Sequence, residues 1–490
     1  MTTTEKRYVT YEEFGAVGDG VTDDMSAIVA CHAYANEHRL DVVGREDANY
    51  YIGGKDLTAV IKTNVRWGSA RFTVDDRNLE RITQSCFHVA PDGERFTPDI
   101  PSLRRGQERV VFPHEGNVYV RVYNRNRSVY IRKGLNKNNG TPASDCFAVD
   151  AEGHVTGSIN WDYDTVTDAY AISTDDTPIV IEGGIFTTIA NAQPSFYNYH
   201  SRNISITRSH VTVRGLTHYI TGEGDQGAPY SGFLTVNETL DVTLEDCLMT
   251  AHKTYWTESK IPGQQVPMGS YDISVTAAIG LRLIRILQTT DISDKLYWGL
   301  MGSNFSKNFY MEDCVMSRFD AHMGVTNGQI KHCRLGHMGT NLIGFGEFLI
   351  EDTTFVCTRT VTFRPDYGSF FHGKVTLKDC VWIPTLDESR VGAEILRAQN
   401  EGDHDFGYEC GMPATIVIDG LLIDDSHLTN PNLVYYLFPD YDAEFAPDKP
   451  YPYGTPKQVI AKGIRSRAGR EIRPFRKPEQ YPDLAGLTLA

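Results

Sequence analysis

FYMEDCVM (309–316), QIKHCRL (329–335), FLIEDTTF (348–355) and KVTLKDCVW (374–382) are worn copies of one phrase. Alternating apolar residues lead to a charged pair, then to cysteine or threonine, then to apolar residues again. Cys314 and Cys333 lie 19 residues apart, and Thr353 follows 20 further on. A period of ~20–25 residues built of short β segments is that of a solenoid, in which one repeat cannot bury its own face and stacking supplies the core. Fainter copies stand at LTAVIKTNVRWGSARFTVDD (57–76), SITRSHVTVRGL (205–216), LDVTLEDCLM (240–249), YDISVTAAIGLRLIRIL (271–287) and ATIVIDGLLID (414–424).

Working outward, the reading is an all-β chain: a right-handed parallel β-helix over 178–425, with an N-terminal cap and first coils over 1–84. Between 85 and 177 the rhythm is lost. Alternating stretches such as NVYVRVYNRNRSVYIRKG (117–134) predict hairpins, hence an inserted β-rich lobe. From 426 to 490 the composition turns to Pro, Tyr and Asp (FPDYDAEFAPDKPYPYGTP, 438–456), which predicts an extended arm. In the cap, DDMSAIVACHAYANEH (23–38) reads as a helix over 25–38, with Asp23 or Asp24 at its N-cap and Ala27, Ile28, Cys31 and Ala35 on one face. The nine cysteines include no C-x-x-C pair, and their recurrence at one repeat position predicts buried thiols at 314, 333 and 380 rather than disulfides or zinc.

Composition narrows the function. Acidic residues outnumber basic ones 63 to 47, a formal charge of −16, which disfavours a nucleic-acid backbone or an anionic membrane surface as partner. No window reaches the ~18 consecutive apolar residues of a spanning helix. The opening MTTTEKRYVTY has no secretory-signal pattern, so the sequence leaves localisation between the cytoplasm and a secreted chain already trimmed.

The string FGAVGDGVTDD (14–24) followed by a helix resembles the opening of the pectate-lyase-like superfamily of right-handed parallel β-helices. That superfamily holds glycoside hydrolases, polysaccharide lyases, a sugar epimerase group and phage tailspike depolymerases. The resemblance implies the fold and a carbohydrate partner, and makes Asp19, Asp23 and Asp24 structural residues of the cap. The paired aspartates of STDDT (173–177) are similar to those of polygalacturonases, but no Arg-x-Lys pair accompanies them. GEGDQG (222–227) fits a dinucleotide fingerprint in letters only, since APYSG rather than a helix follows it.

Neighbouring strands of a β-helix stack ~4.8 Å apart with side chains alternating in and out, so outward residues of successive coils form columns. In RFDAHMGV (318–325), Phe319, Ala321, Met323 and Val325 point inward while Arg318, Asp320 and His322 line up outside. HMGTNLI (337–343) adds His337 and Asn341; TVTFRPDYG (360–368) adds Arg364, Asp366 and Tyr367; Trp298 lies one coil back. Two carboxylates ~6.5–9.5 Å apart suit inverting glycoside hydrolysis, and Asp320 and Asp366 are two coils, ~10 Å, apart.

The expectation is therefore a glycoside hydrolase acting on an oligo- or polysaccharide. Asp320 and Asp366 are its acid/base pair, tuned by His322 and Arg318; Arg364, His337 and Asn341 bind substrate, and Trp298 and Tyr367 stack on sugar rings. The alternatives are a lyase acting on uronates, with Arg364, Arg318 or Lys307 as base, and a tailspike-like glycan-binding fibre. No metal or other cofactor is assigned, with calcium on carboxylates left open. The oligomeric state is open between a monomer and a homo-oligomer, a trimer included.

Overall fold

The computed structural model describes residues 7–174, 176–398, 406–440, 451 and 453–489. The chain folds as a right-handed parallel β-helix whose main sheet joins 27 strands among the described residues, every pairing between them parallel. One interior row shows why. Val9 stacks on Val42, Val42 on Val65, Val65 on Ile181 and Ile181 on Val213. Leu244, Leu283, Met311, Ile330, Ile350, Leu377, Ile418 and Ala461 continue it one coil at a time. All are buried, so the row removes a continuous apolar stripe from water that no single coil could hide.

The repeated phrase is a corner. The residue just before each cysteine or its stand-in adopts left-handed backbone geometry: Asp246, Asp313, His332, Asp352 and Asp379, with φ between 46° and 54°, and Gly420 at 81°. Aspartate tolerates this region better than most side chains, and glycine best. The turn aims the next side chain inward: Cys247, Cys314, Cys333 and Cys380 are buried and free, and Thr353 fills the same place. Cys314 N–H reaches Cys333 Sγ at 3.4 Å, and Cys333 N–H reaches Thr353 Oγ1 at 3.3 Å.

The helix Met25–His38 closes the N-terminal end, burying Met25, Ile28, Cys31, His32 and Ala35. Its capping aspartates hold the preceding Gly-rich turn. Asp24 accepts from the N–H groups of Val17 and Gly18, and Asp23 from that of Met25. The lobe is an antiparallel sheet of Val118–Val129, Thr141–Val149, Val155–Thr156 and Asp168–Ser173. Strand Phe87–Val89 already belongs to the helical ladder.

Beyond 425 the structure departs from the expected arm. Gln458–Ser466 pairs in parallel with Thr415–Ile423, adding one more rung to the ladder. The Pro- and Tyr-rich composition hid it, because strand 458–466 faces solvent on most of its length and lacks the alternating apolar signal. Most of the 438–456 stretch read as an arm lies outside the described residues, as does Asp175 of the STDDT pair.

Candidate functional site

Register brings the expected column together. Arg318 pairs with Gly339, Asp320 with Asn341, and Asn341 with Thr362. Pro365 ends the strand Val361–Phe363, and the short turn Pro365–Tyr367, closed by Gly368 at φ 87°, folds Asp366 back onto Arg364.

The column is not a solvated face. Asp320 is fully buried, and Arg318 and Arg364 are 4% and 8% exposed. Arg364 Nη1 donates to Asp320 Oδ1 at 2.7 Å; Arg318 Nη2 and the Tyr271 hydroxyl donate to Oδ2 at 2.6 and 3.0 Å. The other edge of the Arg364 guanidinium binds Asp366 at 3.2 and 3.0 Å. Arg132, delivered by the lobe, stands 2.7 Å from Asp366 Oδ2. Two carboxylates thus alternate with three arginines in one network, buried around Asp320 and half-buried at Asp366 and Arg132. Burial alone would raise Asp320, but the charges of Arg318 and Arg364 hold it far below the usual carboxylate range. Asp366 is lowered likewise: burial opposes, and Arg364 and Arg132 prevail.

The expected acid/base pair, Asp320 and Asp366, meets these charges directly. A general acid must carry a proton near neutral pH, which requires a raised carboxyl pKa; both carboxyls here are lowered, and Arg364 sits between them where a scissile bond would lie.

His322 is a different kind of group. Its Nδ1 lies 3.0 Å from Asn304 Oδ1, which only accepts, so Nδ1 carries the hydrogen. Nε2 then accepts from the Tyr367 hydroxyl at 2.9 Å. Burial, reinforced by Arg364, pushes this imidazole down to about 3, so it is neutral at physiological pH. Burial pushes the Tyr367 phenol up to about 12.

These groups back a cavity of about 430 Å³ between the β-helix, the lobe and the hairpin Tyr255–Glu258/Gln265–Met268. Tyr197, Tyr199, Tyr271 and Trp298 supply aromatic surface to its wall; Arg132, Lys260, Arg318 and Arg364 supply positive charge; His322 supplies an imidazole. Among the described residues, no Asp or Glu side chain lines it. The Arg318 guanidinium lies over the Trp298 ring at 4.7 Å, as their one-coil spacing implies. Gly269 keeps the wall open, since a β-carbon there would stand 3.0 Å from the Tyr271 hydroxyl and 3.2 Å from Trp298 Nε1.

Other expected residues fall outside this cavity. His337 is half-buried with Nε2 2.9 Å from the Tyr297 carbonyl, and Asn341 donates to the Met338 carbonyl at 3.3 Å. Tyr367 is buried behind His322 and offers no face for stacking. Lys307, a candidate base, is 1% exposed and tied to Asp145 of the lobe, so it is a structural contact. Among the described residues, Asp150, Glu152 and His154 are the one group whose potential metal-ligand atoms come within 4.8 Å of one another, and they lie on an exposed turn of the lobe.

Sequence reasoning missed the roof. Arg132 and Asn136 of the lobe, Tyr197, Tyr199 and Lys260 come from stretches without repeat rhythm, and only the basic run 125–133 signalled them. It also missed a chain of histidines and carboxylates inside the β-helix region. His218 Nδ1 is 3.2 Å and His252 Nε2 3.4 Å from Asp272, and His252 Nδ1 is 3.0 Å from Glu223, a residue of the GEGDQG loop.

No family model and no curated protein sequence matches the chain. Solved structures do. The tailspike gp61 of Pseudomonas phage phi297 aligns over 89% of this chain and 81% of its own, with a TM-score of 0.50 at 10% identity. The gp54 tailspike of Acinetobacter baumannii bacteriophage AP22, solved with A. baumannii capsular saccharide, covers 94% and 76% with a TM-score of 0.44 at 10% identity. PfbA, a surface adhesin of Streptococcus pneumoniae, covers 94% of each chain with a TM-score of 0.45 at 11% identity. At such identities likeness concerns the fold alone, a parallel β-helix; chemistry has to come from the site.

Proposed function

We propose that this protein is a carbohydrate-active enzyme that binds a glycan in the cavity under the lobe and cleaves it there, by β-elimination at a uronate unit. One observation carries the reading: the wall combines four aromatic side chains and four cations with a neutral imidazole, and among the described residues holds no carboxylate. Aromatic rings match the apolar faces of sugars. Hydrolysis by a carboxyl pair needs a protonated member, whereas elimination needs a base and positive charge beside the sugar carboxylate.

In this reading Arg318 and Arg364 face the uronate carboxylate and stabilise the charge that spreads onto it as the α-hydrogen leaves. His322 Nε2 takes that hydrogen once the Tyr367 hydroxyl turns aside. The C–O bond to the leaving sugar then breaks as the double bond forms, and the imidazolium returns the proton to the leaving oxygen. A bound carboxylate offsets the Arg364 charge that adds to burial in depressing His322, and so moves its pKa upward.

The test is His322→Gln against Asp366→Asn on a polysaccharide the wild type cleaves. His322→Gln should lower kcat at least ~10²-fold with binding retained, the usual worth of general acid–base assistance. Full activity of His322→Gln, with Asp366→Asn inactive but folded, would return the assignment to the carboxylate pair.

A further inference from the structure

The hairpin Tyr255–Glu258/Gln265–Met268 walls the cavity through Lys260, Pro267 and Met268, yet it forms a two-stranded sheet of its own, apart from the parallel ladder. Its apolar footing is small: Tyr255, Val266 and Met268 pack with Tyr230 in a buried cluster separate from the main core. Polar contacts at its base converge on Glu223 of the GEGDQG loop. That carboxylate accepts from the Tyr255 hydroxyl at 2.6 Å and the Lys253 N–H at 3.1 Å, and lies 3.0 Å from His252 Nδ1. Farther out, Thr257 and Lys260 donate to the carbonyls of Ser195 and Lys137 at 2.6 and 2.9 Å.

His252 is the pivot. Its buried ring stacks on Tyr230 with centres 4.4 Å apart and lies between two carboxylates, Nδ1 toward Glu223 Oε1 and Nε2 toward Asp272 Oδ1 at 3.4 Å. Asp272 Oδ1 forms no closer hydrogen bond among the described residues, and Oδ2 is 3.2 Å from His218 Nδ1. An ionised carboxylate only accepts, so both nitrogens of His252 carry hydrogen and the ring is an imidazolium. The remaining charged groups around it are accounted for. The Lys253 ammonium donates to the Gly224 carbonyl, Asp225 of the loop is exposed, and Asp76 lies 3.5 Å from Arg202. Burial lowers His252, and Glu223, Asp272 and Asp76 together raise it above its ordinary 6.5. Burial also pushes Asp76 up to about 7, against Arg202 and Tyr230; its ionisation as pH rises favours the imidazolium.

A neutral His252 can donate to Glu223 or to Asp272, not to both, and the other carboxylate then faces a lone pair. Glu223 is the one to leave: its side chain is 14% exposed and sits on a loop, whereas that of Asp272 is fully buried at the start of a ladder strand. We infer that Glu223, His252 and Asp272 form a proton-controlled latch on the hairpin. Protonated, His252 holds the 222–227 loop and the hairpin base together; deprotonated, it frees Glu223 and loosens the wall that carries Lys260 and Pro267. The fastening is complete below 6.5 and is lost as pH rises through the folded value of His252. The latch is independent of what the cavity binds, so its test uses no glycan.

The experiment follows amide hydrogen exchange of the full-length protein from pH 6 to 9, each rate divided by the intrinsic rate at that pH. In the wild type the protection of residues 255–268 should fall at least tenfold across this range, approaching tenfold per pH unit as expected for one proton, while that of the coil strand Phe371–Pro384 holds. Glu223→Gln keeps an acceptor but removes the charge, and should leave the hairpin less protected at pH 6 with most of the slope gone. His252→Gln should flatten the slope as well. Wild-type hairpin protection that stays constant relative to the coil strand would overturn the latch. A wild-type slope that persists in both variants would overturn it too, and would assign the titration to another group.

Discussion

Asp320 shows how residue identity and residue role part company. Its place on the column follows from alternation in RFDAHMGV, yet its environment is a closed ion-pair network with two arginines and a tyrosine hydroxyl. Removing one partner from such a network costs more than the pair is worth, because the remaining charges stay buried. Asp320→Asn should therefore destabilise the protein by about 3–5 kcal/mol in denaturant unfolding. A loss below about 1 kcal/mol, the ordinary worth of a surface pair, would show that the arginines find water. Alternation on a strand says which side a residue leaves from; it says nothing of what covers that side. That is why Arg318, Asp320, His322 and Trp298 were legible as a group, while their burial and the Arg364 bridge were not.

At the scale of elements, the coils were legible because their signal is repeated. In the repeated phrase the D-C and D-T steps at 246, 313, 352 and 379 mark left-handed corners followed by an inward side chain, and any one copy would have been too short to read. The lobe has no such repetition, and its consequence for the site is long-range: it delivers Arg132 to Asp366 through a sheet anchored elsewhere on the β-helix. That anchor includes Lys307 bonded to Asp145, the Tyr119 hydroxyl donating to the Ala277 carbonyl at 2.7 Å, and Asn160 Nδ2 donating to Thr326 Oγ1 at 2.8 Å. Lys307→Met leaves the Asp145 carboxylate buried beside an apolar stem. We expect protease cleavage in the lobe to accelerate and glycan affinity to fall, with the far-ultraviolet β signal of the coils retained. Equal protease resistance would place the anchoring energy in the other contacts.

Across the whole molecule, the balance of buried histidines sets a pH response. Burial pushes His32 and His322 down to about 3 and, helped by the charge of Arg202, His200 down to about 4, against an ordinary value of 6.5. The unfolded chain therefore binds protons at 6.5 that the folded chain refuses. Their contribution is complete above 6.5 and is lost as pH falls toward 4 and 3. His252 has the opposite sign: burial lowers it, but Glu223 and Asp272 prevail and raise it, so its contribution is present below 6.5 and lost as pH rises through its folded value. Thermal stability should peak near neutrality and fall steadily from pH 6.5 to 4, as followed by calorimetry. A flat profile over that window would mean that these imidazoles are open to water.

The central claim is that the cavity under the lobe cleaves a uronate-bearing glycan by elimination. Digesting a polysaccharide panel with the full-length protein and weighing the products tests it most directly. Elimination gives products whose masses sum to that of the parent, one of them bearing a new ultraviolet-absorbing double bond at its end. Products heavier by one water, without that absorbance, would contradict it and make the enzyme a hydrolase. Tight binding with no product would contradict it too, and leave a glycan-binding fibre.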